Sequence, residues 1–445
     1  MTQAPPAPKA ALRRHDREIL ALAVPAFGAL VAEPLFVMAD SAIVGHLGTS
    51  QLAGLGVAAA LLTTAVSVFV FLAYATTAAV SRRVGAGDLQ AAIRQGMDGI
   101  WLALLLGVAV IAVVLPTAPW LISLFGASDT IAPHAITYLR ISAVGIPAML
   151  MVLAATGVIR GLQDTRTPLY VAVGGFALNG GLNFALVYGA GLGIAGSAWG
   201  TVIAQCAMAT AYLIVVVRGA RKHGASLCPD TAGIRACAQA GVPLLVRTLS
   251  LRAVLLIATA VATRLGDTEI AAHQILLSLW SLLAFALDAI AIAGQAIIGR
   301  YLGASDTEGA KAACRRMVQW GIAAGIVLGL LVVLARPVFI PLFTGDPAVE
   351  DALLPALLVV ALSQPVSGIV FVLDGVLMGA GDGRYLAWAM LLTLAVFTPA
   401  ALLVPAVGGG LTTLWWAMTL MMLVRMATLQ LRARSGRWLV AGATS

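Results

Sequence analysis

The stretch RRVGAGD at 82–88 returns as RYLGASD at 300–306, 218 residues further along the chain. The same ungapped shift carries Arg17 onto Arg235, Pro25 onto Pro243, Leu47–Gly48 onto Leu265–Gly266, Phe125 onto Phe343 and Pro147 onto Pro365. It also lays GLQDTR (161–166) on GAGDGR (379–384). One register held over about 150 residues marks an internal duplication, so the fold is two copies of one unit.

The nature of that unit follows from composition. Of the 445 residues, 61% are hydrophobic and 10% charged, where a soluble domain carries about 25% charged residues. The chain reads as a polytopic membrane protein. Apolar runs long enough to cross the hydrocarbon at 1.5 Å per helical residue fall at 19–44, 52–80, 95–115, 133–159, 168–188 and 193–217. Six more fall at 237–262, 269–298, 316–335, 351–377, 385–406 and 410–431. The expected fold is therefore an all-α integral membrane protein with twelve transmembrane helices in two pseudo-symmetric six-helix bundles. Six spans per repeat is an even number, so both copies share one topology and an axis along the membrane normal relates them.

Lys and Arg set the orientation. With the N-terminus inside, 22 of the 27 basic residues fall on inner segments and two, Arg264 and Arg336, on outer ones. Arg140, Arg247 and Arg252 lie within spans. This bias puts both termini in the cytoplasm. The net charge of +8 is thus a property of cytoplasmic loops and not a nucleic-acid surface. The opening MTQAPPAPKAALRRHDRE has no small-residue cleavage site before the apolar run and reads as a cytoplasmic tail. The expected organisation is a tail at 1–16, an N-lobe at 17–217, a linker at 218–235, a C-lobe at 236–432 and a second tail at 433–445. Cys206, Cys228, Cys237 and Cys314 have neither metal-ligand spacing nor a disulfide pattern.

An ionised side chain at bilayer depth is costly and marks function by default. The first span holds two acids, Glu33 and Asp40, seven residues apart on one helix face, with Pro25 and Pro34 interrupting the backbone hydrogen bonds. A helix so interrupted can bend between two shapes, and protonation of Asp40 is a switch between them. Tyr138 and Arg140 in the fourth span, Asn179 and Asn183 in the fifth, and Thr201 and Gln205 in the sixth offer polar groups for a cavity around Asp40. Asp288 in the eighth span is read as a paired carboxylate or a C-lobe ligand. Asp98 reads as a solvated carboxylate near the headgroups. Asp374, Asp164 and Asp382 read as salt-bridge partners on the cytoplasmic face, the last two with Arg166 and Arg384 two residues on.

GLGIAG (191–196) matches G-x-G-x-x-G in an outer loop between apolar helices, without the strand that a dinucleotide site needs. Walker A, G-x-S-x-G and H-E-x-x-H motifs are absent from the sequence, which argues against an ATP-driven pump or an intramembrane hydrolase. Duplicated six-helix bundles that rock about a central site are instead a secondary-transporter architecture.

PLFVMADSAIVGHLG, LALDAIAIAGQAIIGRYLGASD and FVLDGVLMGAGDGR, with the repeat, resemble the multidrug and toxic compound extrusion (MATE) family, in particular its DinF-like branch. The resemblance runs from about Arg17 to Arg432. It implies an antiporter that exports amphipathic, often cationic, small molecules in exchange for H+ or Na+, with no other cofactor and no metal. It implies that Asp40 is the coupling acid of the first span, that Tyr138, Asn179 and Thr201 line its cavity, and that Asp288 and Asp374 are the C-lobe acids. Asn183 stands where many relatives have a second N-lobe aspartate, and Arg247 and Arg252 occupy the span where some branches carry a glutamate. Fewer carboxylates favour H+ over Na+. The remaining alternatives are a Na+-coupled drug antiporter and a lipid-linked precursor flippase. A monomer in a bacterial inner membrane, with partners limited to substrate and bilayer, is the expected setting.

Overall fold

The computed structural model describes the backbone of residues 8–45 and 48–443 and the side chains of 15–32, 34, 43–44 and 48–443. These residues form fourteen α-helices, one π-helical turn and no strand. The first eight are α1 (Pro8–Gly45), α2 (Thr49–Val68), α3 (Phe71–Gly85), α4 (Leu89–Leu124), α5 (Ala132–Val144), α6 (Ile146–Gly161), α7 (Arg166–Phe184) and α8 (Gly193–His223). The π turn, Ala185–Gly189, closes α7. The remaining six are α9 (Thr231–Leu265), α10 (Asp267–Gly303), α11 (Thr307–Phe343), α12 (Pro347–Gly379), α13 (Gly383–Ala406) and α14 (Leu411–Ser435).

Ten segments among the described residues are long and apolar enough to span a bilayer, counting α2 with α3 and α7 with its π turn as one each. The α5–α6 pair makes an eleventh, bent by 49° at Gly145, where Pro147 follows. The remaining apolar run of the sequence lies in α1, part of whose side chains are outside the described residues.

The chain divides into two compact units, an N-terminal one, Gly28–Gly241, and a C-terminal one, Val242–Ser445 with the chain up to Phe27. Each is built on the same contacts, displaced by the 218-residue repeat. In the N-terminal unit α6 lies so close to α3 that a Cβ on Gly157 would come within 2.5 Å of the Ala73 carbonyl oxygen. In the C-terminal unit Gly375 of α12 meets the carbonyl of Ala291 in α10 in the same way. A Cβ on Gly107 would run into Pro147, and one on Gly325 would come within 2.7 Å of the Pro365 Cα. Small residues let backbones approach closely, which is how helices associate where lipid removes the hydrophobic driving force.

The turns repeat as well. Asp88 and Asp306 each cap the following helix, accepting from Ala91 N at 2.8 Å and Gly309 N at 2.7 Å. Gly87 and Ser305 before them both adopt positive φ, at 80° and 60°. Gln163 and Gly381 do the same at 67° and 75°. These left-handed positions admit a non-glycine residue in one copy only, because a Cβ there is strained.

Candidate transport site

The backbone of α1 is helical through Glu33 and Asp40, but their side chains lie outside the described residues. One turn after Asp40, Val44 is fully buried in a cluster with Leu55 and Ala58 of α2, Ile122 of α4, Tyr138 and Leu139 of α5, and Ile194 and Ala198 of α8. Tyr138 is thus held in the apolar core of the N-terminal unit. The Tyr188 hydroxyl donates to the Ile43 carbonyl at 2.6 Å, tying the end of α7 to α1.

Asn179, Asn183 and Thr201 meet between α7 and α8. Asn179 Nδ2 donates to Thr201 Oγ1 at 3.1 Å. Both asparagines are buried, and Asn179 Oδ1 finds no hydrogen-bond donor among the described residues. Gly200 makes room for Asn183, since a Cβ there would overlap Asn183 Oδ1, and Gly175 makes room for Met208. The Oε1 of Gln205, one turn beyond Thr201, is likewise buried without a donor among the described residues. Unsatisfied buried oxygens are uncommon in finished packing and suit a place where water or a ligand enters. All of these groups are uncharged.

Asp98 is not solvated. The helix α4 begins at Leu89, two turns earlier than the apolar run, and Asp98 is only 3% exposed. Its Oδ1 accepts from Asp230 N at 3.3 Å, and Gly233 packs against its carboxylate. The 224–237 segment adds further bonds to α4: Trp101 Nε1 to Leu227 O at 3.0 Å, Gln90 to Gly224 O at 2.8 Å, and Arg94 to Asp230 at 2.9 Å. Hydropathy hides this, because the carboxylate is shielded by chain that follows more than 130 residues later.

The C-terminal unit holds charge in its interior. Asp374 of α12, 4% exposed, pairs with Arg247 of α9 and with Arg425 of α14. Arg247 engages both carboxylate oxygens through Nε and Nη2, while Arg425 Nη2 reaches Oδ2 at 3.0 Å. The triad joins three helices. Asp288, half-buried on α10, sits at the repeat position of Val70, where α2 breaks from α3.

Asp382 pairs with Arg432 at 2.6 Å and not with Arg384. Arg432 also lies over the Tyr385 ring, 4.9 Å from its centroid. Asp164 turns inward on its own loop, accepting from Arg166 N at 2.9 Å, Thr167 N at 3.0 Å and Thr167 Oγ1 at 2.5 Å. It opens α7 as a local turn and pairs with the backbone of Arg166, not its guanidinium. At the start of α1, Asp16 accepts from Arg316 at 2.6 Å and from Trp320 Nε1 at 2.8 Å, and Glu18 pairs with Arg300. The Arg316 guanidinium holds the Asp16 carboxyl below the usual range. Sequence reading counted Arg425 and Arg432 among the basic residues of one membrane face; it did not assign them to Asp374 and Asp382.

The MatE family model matches residues 25–185 and again 243–404, so the two matches begin one repeat apart. "Protein DETOXIFICATION 44, chloroplastic" of Arabidopsis thaliana is 30% identical over 97% of this chain and 85% of its own length. "DNA damage-inducible protein F" of Escherichia coli (strain K12) is 28% identical over 97% of this chain and 95% of its own. Among solved structures, the outward-facing conformation of a multidrug resistance MATE family transporter of the MOP superfamily superposes with a TM-score of 0.86. It is 21% identical and covers 98% of this chain and 100% of that one, a likeness of fold. The chain belongs to the MATE family of multi-pass membrane transporters.

Proposed function

We propose that this transporter exports amphipathic, often cationic, organic molecules in exchange for H+, by alternating access, with Asp40 as the group that gains and loses the proton. The single observation that carries the choice of ion is the chemistry of the buried polar set. In the N-terminal unit Asn179, Asn183 and Thr201 supply only neutral amides and a hydroxyl. In the C-terminal unit Asp374 is occupied by two guanidiniums. A Na+ site wants several oxygen ligands, carboxylates among them, whereas proton exchange needs one carboxylate in a partly desolvated setting. Glu33 and Asp40 are the acids of the first span that can meet that need, and the prolines beside them provide the bend that protonation drives.

The orphan oxygens of Asn179 and Gln205 are acceptors ready for a cationic or hydrogen-bond-donating substrate. The working location is a bacterial inner membrane with both termini cytoplasmic, which the basic-residue bias supports and which suits the Escherichia coli relative.

The test is transport of a fluorescent organic cation by protein in liposomes, under a pH gradient or a Na+ gradient, for wild type and Asp40→Asn. Transport driven by the pH gradient alone and lost in Asp40→Asn is expected. Transport driven by Na+ alone, or an undiminished Asp40→Asn protein, overturns the reading and moves attention to Glu33 and Asp288.

A further inference from the structure

The C-terminal unit meets cations with its own carboxylates: Arg247 and Arg425 on Asp374, and Arg432 on Asp382. One edge of the N-terminal unit does not. Asp164 is the repeat counterpart of Asp382, but its oxygens are taken by the backbone N–H groups of Arg166 and Thr167 and by the Thr167 hydroxyl. The Arg166 guanidinium is exposed and forms no ion pair among the described residues. The same holds for Arg218, Arg221 and Lys222 in the last turns of α8. Arg221 and Lys222 complement the C-terminal end of the α8 dipole, whereas Arg166 is the first residue of α7, where the dipole repels a cation. Helix electrostatics alone therefore do not account for the cluster.

The cations gather at one level. Helices α7 and α8 run antiparallel, with Asn183 against Gly200 and Gly175 against Met208. Nine residues further along each helix, the same register sets Arg166 level with Val217 and Arg218. Both helices are long and apolar enough to span a bilayer, so this level is where the apolar span ends. Below Arg166, at helical spacing, Tyr170, Val173 and Phe184 are exposed on α7, and below Arg218 so are Ile214 and Ile203 on α8. The matching face of α14 in the C-terminal unit is closed: Met421 and Arg425, the repeat counterparts of Ile203 and Ala207, are buried.

We propose that this edge of the N-terminal unit binds an anionic phospholipid, its headgroup held by Arg166 and Arg218 with Arg221 beside them, and its acyl chains laid along the exposed apolar stripes of α7 and α8. The planar fork of an arginine matches phosphate oxygens two at a time. Tyr170, one turn inside Arg166, lies at the depth where aromatic rings meet headgroups. The stripes are what select a lipid, since a free phosphate or an acidic peptide would use the cations alone. Each cation near an anionic lipid surface is worth about fivefold in affinity, so three together give about a hundredfold preference over a zwitterionic lipid with the same chains. Neither the coupling ion nor Asp40 enters this binding.

The decisive experiment is native mass spectrometry of the full-length protein in detergent, titrated with dioleoylphosphatidylglycerol or with dioleoylphosphatidylcholine. Wild type is expected to bind the phosphatidylglycerol about a hundredfold more tightly. The triple variant Arg166→Gln, Arg218→Gln, Arg221→Gln, altered only at exposed positions, is expected to bind the two lipids alike. A matched variant of the C-terminal unit, Arg384→Gln, Arg434→Gln, Arg437→Gln, removes the same charge from exposed positions and is expected to keep the preference. No preference in wild type, a preference that survives the first variant, or an equal loss in both variants overturns the proposal. So does displacement of phosphatidylglycerol by equimolar inorganic phosphate, which would make the cluster a phosphate site. Binding is read without transport, so a carrier driven by Na+ leaves this result standing.

Discussion

The two units share a backbone and differ in their buried chemistry. The N-terminal unit places Asn179 and Asn183 where the C-terminal unit has Phe397 and Ala401, both fully buried. The C-terminal unit places Asp374 where the other has Thr156, whose hydroxyl bonds to Tyr212 at 3.0 Å. Burial is preserved at the two asparagine positions while polarity is exchanged, and Thr156 is half-buried where Asp374 is buried. Backbone approach is constrained at every glycine contact, whereas a side chain inside the bundle need only be satisfied or apolar, so each copy was free to acquire its own polar group. In the proposed mechanism the N-terminal unit handles proton and substrate, and the C-terminal unit provides a rigid frame through its Asp374 ion-pair triad.

The largest expected effect that tests this contrast is in the charged unit. Asp374→Ala leaves two buried guanidiniums without their carboxylate and is expected to cost about 3–5 kcal/mol, a midpoint fall readable by thermal unfolding in detergent. Its repeat counterpart Thr156→Ala, which removes one neutral hydrogen bond, is expected to cost about 1 kcal/mol. Equal losses would erase the distinction between the units.

The shared backbone is tested by matched glycine changes. Gly157→Ala and Gly375→Ala each force a methyl against a neighbouring carbonyl, and each is expected to cost about 1–3 kcal/mol. A clear loss in one unit and none in the other would show that the repeat is kept in sequence but not in packing.

A smaller effect belongs to the neutral site. Asn179→Leu removes the donor to Thr201 and is expected to cost about 0.6 kcal/mol of stability, the usual scale for an interhelical hydrogen bond in a membrane. Its transport phenotype should exceed its stability phenotype, because the orphan carbonyl faces an unfilled demand. Transport equal to wild type would assign Asn179 to packing alone.

The smallest effect is a pH dependence. Asp16 has a folded pKa below its unfolded value of about 3.9, so its pairing with Arg316 stabilises the protein above that value. That contribution is lost as the pH falls through the lower folded value. Asp16→Asn should therefore lower stability at neutral pH by less than about 1 kcal/mol, since the pair is partly exposed, and converge on the wild type as the pH falls below about 4.

The duplication, the apolar spans and the position of the first-span acids were legible in the sequence because they depend on local quantities: hydropathy, helical period and register. The helix termini were less so. Helix α4 starts at Leu89, where an Asp88 cap carries it beyond the apolar run, and that extension is what brings Asp98 under Asp230. Arg247 was visible as an odd residue in an apolar span, but its partner stands 127 residues away and the second arginine 51 residues from that partner. Asp382 likewise chose Arg432 over Arg384, two residues along its own chain.

Sequence alone determined the class of protein, its repeat and which segments lie in the membrane, since each of these is set by what a short stretch of chain can bury. The tertiary structure alone decided which charges pair with one another. Pairing depends on the rotation and approach of helices far apart in the chain, set by small-residue contacts such as Gly375 on Ala291 and invisible to any local reading.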